Sequence, residues 1–84
     1  MNIYLFEYTD TYGGDANYSW VRRFKVTAPS MRSALRKVSK EVGAQGRLKP
    51  VYEGRWDIRG SCTCILGEEW DASYKDYGSL KELT

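Results

Sequence analysis

Hydrophobic and polar positions along the chain change period twice, from two to helical and back to two, and the changes divide the chain into elements. Ile3 to Tyr8 is apolar on both sides of a period-two pattern, with Ile3 and Leu5 on one side and Tyr4, Phe6 and Tyr8 on the other. Such a run predicts a central strand. Tyr18 to Thr27 alternates more clearly, Tyr18, Trp20, Phe24 and Val26 falling on one face and Ser19, Val21, Arg23, Lys25 and Thr27 on the other. This is the pattern of a half-buried strand, with Arg22 as a base among apolar neighbours. After Pro29 the period becomes helical: Met31, Ala34, Leu35, Val38 and Val42 form one stripe, and Arg32, Arg36 and Lys40 recur every four residues away from it. Ser30 is placed to cap the first turn, and Gly43 and Gly46 to end the helix. From Leu48 period two returns. Trp56 and Ile58 share a face, Gly60-Ser61 reads as a turn, and Cys62, Cys64 and Leu66 continue beyond it.

A β-β-α-β-β order with short links predicts a two-layer α+β domain over residues 1–66, an antiparallel four-stranded sheet with one helix packed on one face. Ile3, Leu5, Trp20, Phe24, Val26, Trp56 and Ile58 are expected to face the helix. The open face would then carry Tyr4, Phe6, Tyr8, Val21, Arg23, Lys25, Arg55 and Arg59, a mixture of aromatics and bases. Residues 67–84 read as an acidic, aromatic tail with Trp70, Tyr74 and Tyr77. This tail either packs on the domain, covering the open face, or is partly disordered.

At 84 residues with 42% hydrophobic content the chain is one small domain, too apolar for a disordered segment. Its start lacks the pattern of a signal peptide, and no run of eighteen apolar residues occurs, so a cytoplasmic protein without membrane contact is expected. The net charge of +2 conceals a segregation. Residues 1–20 hold three acids and no base, residues 21–60 hold eleven bases against three acids, and residues 61–84 hold five acids against two bases. Either the acidic ends lie over the basic middle in the fold, or the basic middle meets a partner.

Candidate chemistry is sparse. The chain has no histidine, which removes Ser-His and Cys-His nucleophile pairs and leaves metal hydrolysis to carboxylates alone. Cys62 and Cys64 fall short of a zinc set and are expected to be buried, reduced thiols. Asp10 and Asp15 flank Gly13-Gly14 without the ligand series of an EF-hand, and no Lys-Ser/Thr follows as in a phosphate loop. No enzyme activity, cofactor or metal is therefore expected.

What remains is recognition. Thr9 to Asn17 reads as a nine-residue loop between hairpin neighbours, longer than such connections usually are and therefore a candidate for use. Tyr12, Asp15, Asn17, Tyr18, Arg22, Arg23 and Lys25 are the expected partner-binding residues, with Arg32, Arg36, Lys40, Arg55 and Arg59 as a second set. The stretch YTDTYGGDANYSWVRRF, residues 8–24, resembles segments of short bacteriophage and mobile-element proteins, and a lone β-β-α-β-β domain of this size is similar to small anti-CRISPR and other anti-defence proteins. That resemblance implies a non-enzymatic inhibitor that docks on a host protein or ribonucleoprotein complex in the host cytoplasm, as a monomer or homodimer. The alternatives are a nucleic-acid-binding accessory protein using the basic segment 21–60, and a structural subunit that assembles with itself.

Overall fold

The computed structural model describes residues 1–44, 46–71 and 78–84. Its elements are β1 (Asn2–Tyr12), β2 (Asp15–Ala28), α1 (Met31–Val42), β3 (Leu48–Tyr52), β4 (Arg55–Ile58), β5 (Thr63–Glu69) and β6 (Lys81–Leu83). The chain has the expected α+β class, but among the described residues its sheet has six strands, in the order β3-β4-β5-β1-β2-β6, instead of four. It is also mixed, because β6 runs parallel to β2 while the other pairs are antiparallel. The apolar run after Leu48 is broken by a turn at Glu53-Gly54, Gly54 taking φ of 83°, and so yields two short strands where one was expected. β5 runs through the boundary expected at residue 67, and β6 returns the end of the chain to the sheet. Tyr74 and Tyr77 lie outside the described residues.

Helix α1 forms where its capping chemistry places it. The Ser30 hydroxyl accepts from the Ser33 amide at 3.2 Å, and Gly43 turns into the left-handed region at φ 69°, letting the Ala44 amide bond the Ser39 carbonyl at 2.9 Å. Ala34, Leu35 and Val38 are buried against the sheet, and Met31 and Val42 pack at the margin. Arg32, Arg36 and Lys40 line the exposed side, with no acid in the first turn. Like charges four residues apart oppose helix formation by about 0.2–0.5 kcal/mol per pair.

The phase of β1 is opposite to the expected one. Tyr4 and Phe6 sit across from Val26 and Phe24 and join the core under α1 together with Ile58 and Ile65; Ile3 and Leu5 face the other way. A run apolar on both sides cannot fix its own phase by alternation. Volume decides it: α1 buries mainly Ala34, Val38 and Leu35, so the rings of Tyr4, Phe6 and Phe24 fill the layer that these small side chains leave. The fit is close at Gly67, opposite Phe6 on β5, where an added Cβ would lie 2.3 Å from Phe6 Cε1.

The far side of the sheet is not bare. Leu5, Thr9, Arg55 and Cys64 are all buried there. Trp70, whose amide bonds the Ile3 carbonyl at 2.8 Å, brings its ring 5.7 Å from the Lys25 ammonium. Of the two cysteines only Cys64 is buried; Cys62 falls in the turn before β5 and is exposed, contrary to the expected buried pair. Both are free thiols, and burial, the largest influence, pushes the Cys64 pKa up.

Candidate docking face

The segment expected as a nine-residue loop is mostly strand. Gly13 and Gly14, at φ 61° and 88°, form a two-residue turn with both central angles positive, the combination glycine supplies most easily. Tyr12 and Asp15 pair across it, and Thr11 pairs with Ala16. The surplus residues are collected in one bulge: between the pairs Thr9–Val21 and Thr11–Ala16, β1 supplies only Asp10 while β2 supplies Asn17 to Trp20.

Asp10 holds the bulge together. Its carboxylate accepts from Asn17 Nδ2 at 2.9 Å, from the Ser19 amide at 3.1 Å and from the Ser19 hydroxyl. These bonds, the Ser19 hydroxyl foremost, lower the Asp10 pKa. Tyr18, at the centre of the bulge, has φ of 56°, a conformation a non-glycine residue adopts at a cost of about 1–2 kcal/mol. Thr9 is also tied to the bulge, its hydroxyl donating to the Trp20 carbonyl at 2.6 Å.

The result is a presented tyrosine. The Tyr18 hydroxyl bonds Glu7 Oε1 at 3.3 Å, while the residue remains 46% exposed. Loss of water around the phenol, then the neighbouring Glu7 carboxylate, raises its pKa. Glu7 also receives Arg23 Nε at 2.9 Å. The tip of the hairpin reaches across this side of the sheet, so that the Gly14 carbonyl accepts from the Arg55 guanidinium. Arg55 is fixed further by Asp57 at 2.9 Å and lies 5.7 Å from the Tyr52 ring centroid.

Between Tyr18 and the β3–β4 turn opens a cleft of about 940 Å³ that continues around the end of β5. Leu5, Leu66 and Trp56 supply apolar walls, Tyr18 and Tyr52 flank it, and four carboxylates, Glu7, Glu53, Glu68 and Glu69, line it. No base lines it. Among the described residues, Glu53, Glu68 and Glu69 enter no ion pair.

The expected site residues are divided by this geometry. Tyr12, Asp15 and Asn17 are exposed on the hairpin, and Tyr18 stands at the cleft. Arg23 and Lys25 lie on the same side of the sheet, but each is engaged by an acid, Glu7 and Glu82. Arg22 points to the helix side, its guanidinium 5.3 Å from the Phe24 ring, so Arg22 and Arg23 do not form one surface. Arg55, expected at the open face, is only 4% exposed and serves as an internal tie. Arg32, Arg36, Lys40 and Arg59 are exposed elsewhere. The acidic cleft residues were not among the expected set; Glu68-Glu69 at the end of a strand and Tyr52-Glu53-Gly54 at a turn were the available signals. Among the described residues no group of three or more potential ligands is placed to hold a metal ion, and no helix is long and apolar enough to cross a membrane.

No protein-family model matches the chain, and no curated protein or solved structure matches it either.

Proposed function

We propose that this protein is a non-enzymatic docking module whose acid-and-aromatic cleft receives a basic segment of a partner protein. The observation that carries the reading is the composition of the cleft: tyrosines and a tryptophan beside four carboxylates, and, among the described residues, three of those carboxylates outside any ion pair and no cation in the lining. An arginine or lysine entering there would exchange water for carboxylates and ring faces. The strained Tyr18 supports the same reading, because backbone cost of this kind is spent where a side chain must be presented. Nucleic acid is a poor occupant of this face, since Arg23, Lys25 and Arg55 are already neutralised by Glu7, Glu82 and Asp57. Seen with the resemblance of residues 8–24 to phage proteins, the module acts as a small inhibitor that occupies a surface of a host protein or ribonucleoprotein complex.

The test is affinity capture from extract of the source cell with the wild-type chain and with the double variant Glu68→Lys/Glu69→Lys, followed by titration of the recovered partner. Charge reversal at the cleft should weaken the complex by about tenfold or more while the circular dichroism spectrum is unchanged. Equal affinity for both proteins, or recovery of nucleic acid with no protein component, would refute the assignment.

A further inference from the structure

The charges left over after folding are not scattered. Arg23, Lys25 and Arg55 are paired on the far side of the sheet and Lys81 of β6 pairs with Glu41 of α1, whereas Arg32, Arg36 and Lys40 on α1 take part in no ion pair among the described residues. All three are exposed, at a rise of about 6 Å from one to the next along the helix axis. Their arrangement opposes the helix that carries them: Arg32 stands in the first turn, where the macrodipole favours an acid, and no acid is there to offset it.

Beside Arg32 and Arg36 runs a groove floored by Leu35, Ala44 and Leu48. Ser39 also lines it, and its hydroxyl oxygen is buried without a hydrogen-bond partner among the described residues. Arg47, between the groove residues Gly46 and Leu48, is exposed, and its carbonyl accepts the amide of exposed Arg59 at 2.9 Å. Two guanidinium forks thus border an apolar floor, with Lys40 one turn further along the helix.

We infer that this helix face is a second binding surface, independent of the cleft, that takes the phosphate backbone of a nucleic acid. Guanidinium groups match phosphate oxygens in paired hydrogen bonds, and Leu35 and Leu48 give a sugar or base an apolar seat. The acidic cleft, which runs from the far side of the sheet round the end of β5 as far as Met31 at the start of α1, repels the same ligand. Nucleic acid is therefore confined to one side, and the cleft stays available to protein.

Fluorescence anisotropy with a labelled 20-mer of mixed sequence, single-stranded and duplex, tests this across 50–200 mM salt. Three phosphate contacts by Arg32, Arg36 and Lys40 give a slope of log K on log salt of about −2.7 for duplex, a loss of about 40-fold over that range, and about −2.1 for a single strand. Arg32→Gln/Arg36→Gln should reduce the duplex slope by about 1.8, whereas Lys81→Gln, on β6, should change affinity by less than about twofold. Thermal melting of each variant confirms folding. Absence of oligonucleotide binding at 50 mM salt, or an unchanged slope in the double variant, overturns the inference. So does a salt-sensitive self-association in sedimentation that blocks the oligonucleotide, since the helix face would then be filled by the cleft of a second copy.

Discussion

Replacing Gly67 by alanine sets two effects of opposite sign against each other, and the structure says which one wins. Gly67 lies inside β5 with a backbone angle outside the left-handed region, so alanine is compatible with its conformation. On that ground alone the substitution would stabilise by about 0.4–1 kcal/mol, because alanine has fewer unfolded conformations to lose. The new methyl, however, would meet Phe6 Cε1 at 2.3 Å, Cδ1 at 2.6 Å and Cζ at 3.0 Å. Comfortable carbon contacts are about 3.5–4.0 Å, so ring or strand must yield by more than an ångström. Phe6 has no exposed surface and its ring centroid is 6.4 Å from that of Trp56, which leaves little room. Overpacking of this kind costs about 1–3 kcal/mol, and the sum is a net loss of about 1–2 kcal/mol from a domain whose whole stability is of the order of 4–13 kcal/mol. Urea denaturation followed by tryptophan fluorescence measures it directly. A companion variant, Phe6→Leu in the Gly67→Ala background, should cost less than the two single changes together, since the smaller side chain makes space for the methyl. Unchanged or increased stability of Gly67→Ala would show that Phe6 does not lie over β5 and that the phase of β1 is wrong.

Two further expectations concern the site and its surroundings. The Asp10 pKa is depressed in the folded chain, so its contribution to the bulge is complete above the ordinary value of 3.8 and is lost as pH falls through the lower folded value; amide exchange at Ser19 should stay slow at pH 4 and rise only below that, and Asp10→Ala should abolish the protection at neutral pH. Cys62 should react with a thiol reagent at once and Cys64 only on unfolding, because Cys64 is buried and its pKa raised, and a chelator should leave the melting temperature unchanged; two fast thiols would contradict the placement of β5.

Several features of this molecule are written locally and could be read before any packing was known. Ser30 and Gly43 bracket α1 because a hydroxyl cap and a left-handed glycine act within one turn of chain. The stripe of Ala34, Leu35 and Val38 follows from a period that does not depend on what it meets. The α+β class follows from those periods in series.

Other features depend on distant partners. Tyr4 and Phe6 face α1 because the helix offers small side chains, a fact of volume that alternation in β1 cannot contain. The stretch from Thr9 to Asn17 reads as loop because a bulge of four residues on one strand has no period, yet the Asp10 carboxylate holds it in the sheet. Charge segregation is visible in the chain, but its meaning is not. Folding brings Glu7 to Arg23 and Glu82 to Lys25, cancelling charge on one face, while Arg32, Arg36 and Lys40 gain no such partner among the described residues. Coulomb energy depends on separation in space, so which bases remain free was decided only when the strands were laid side by side.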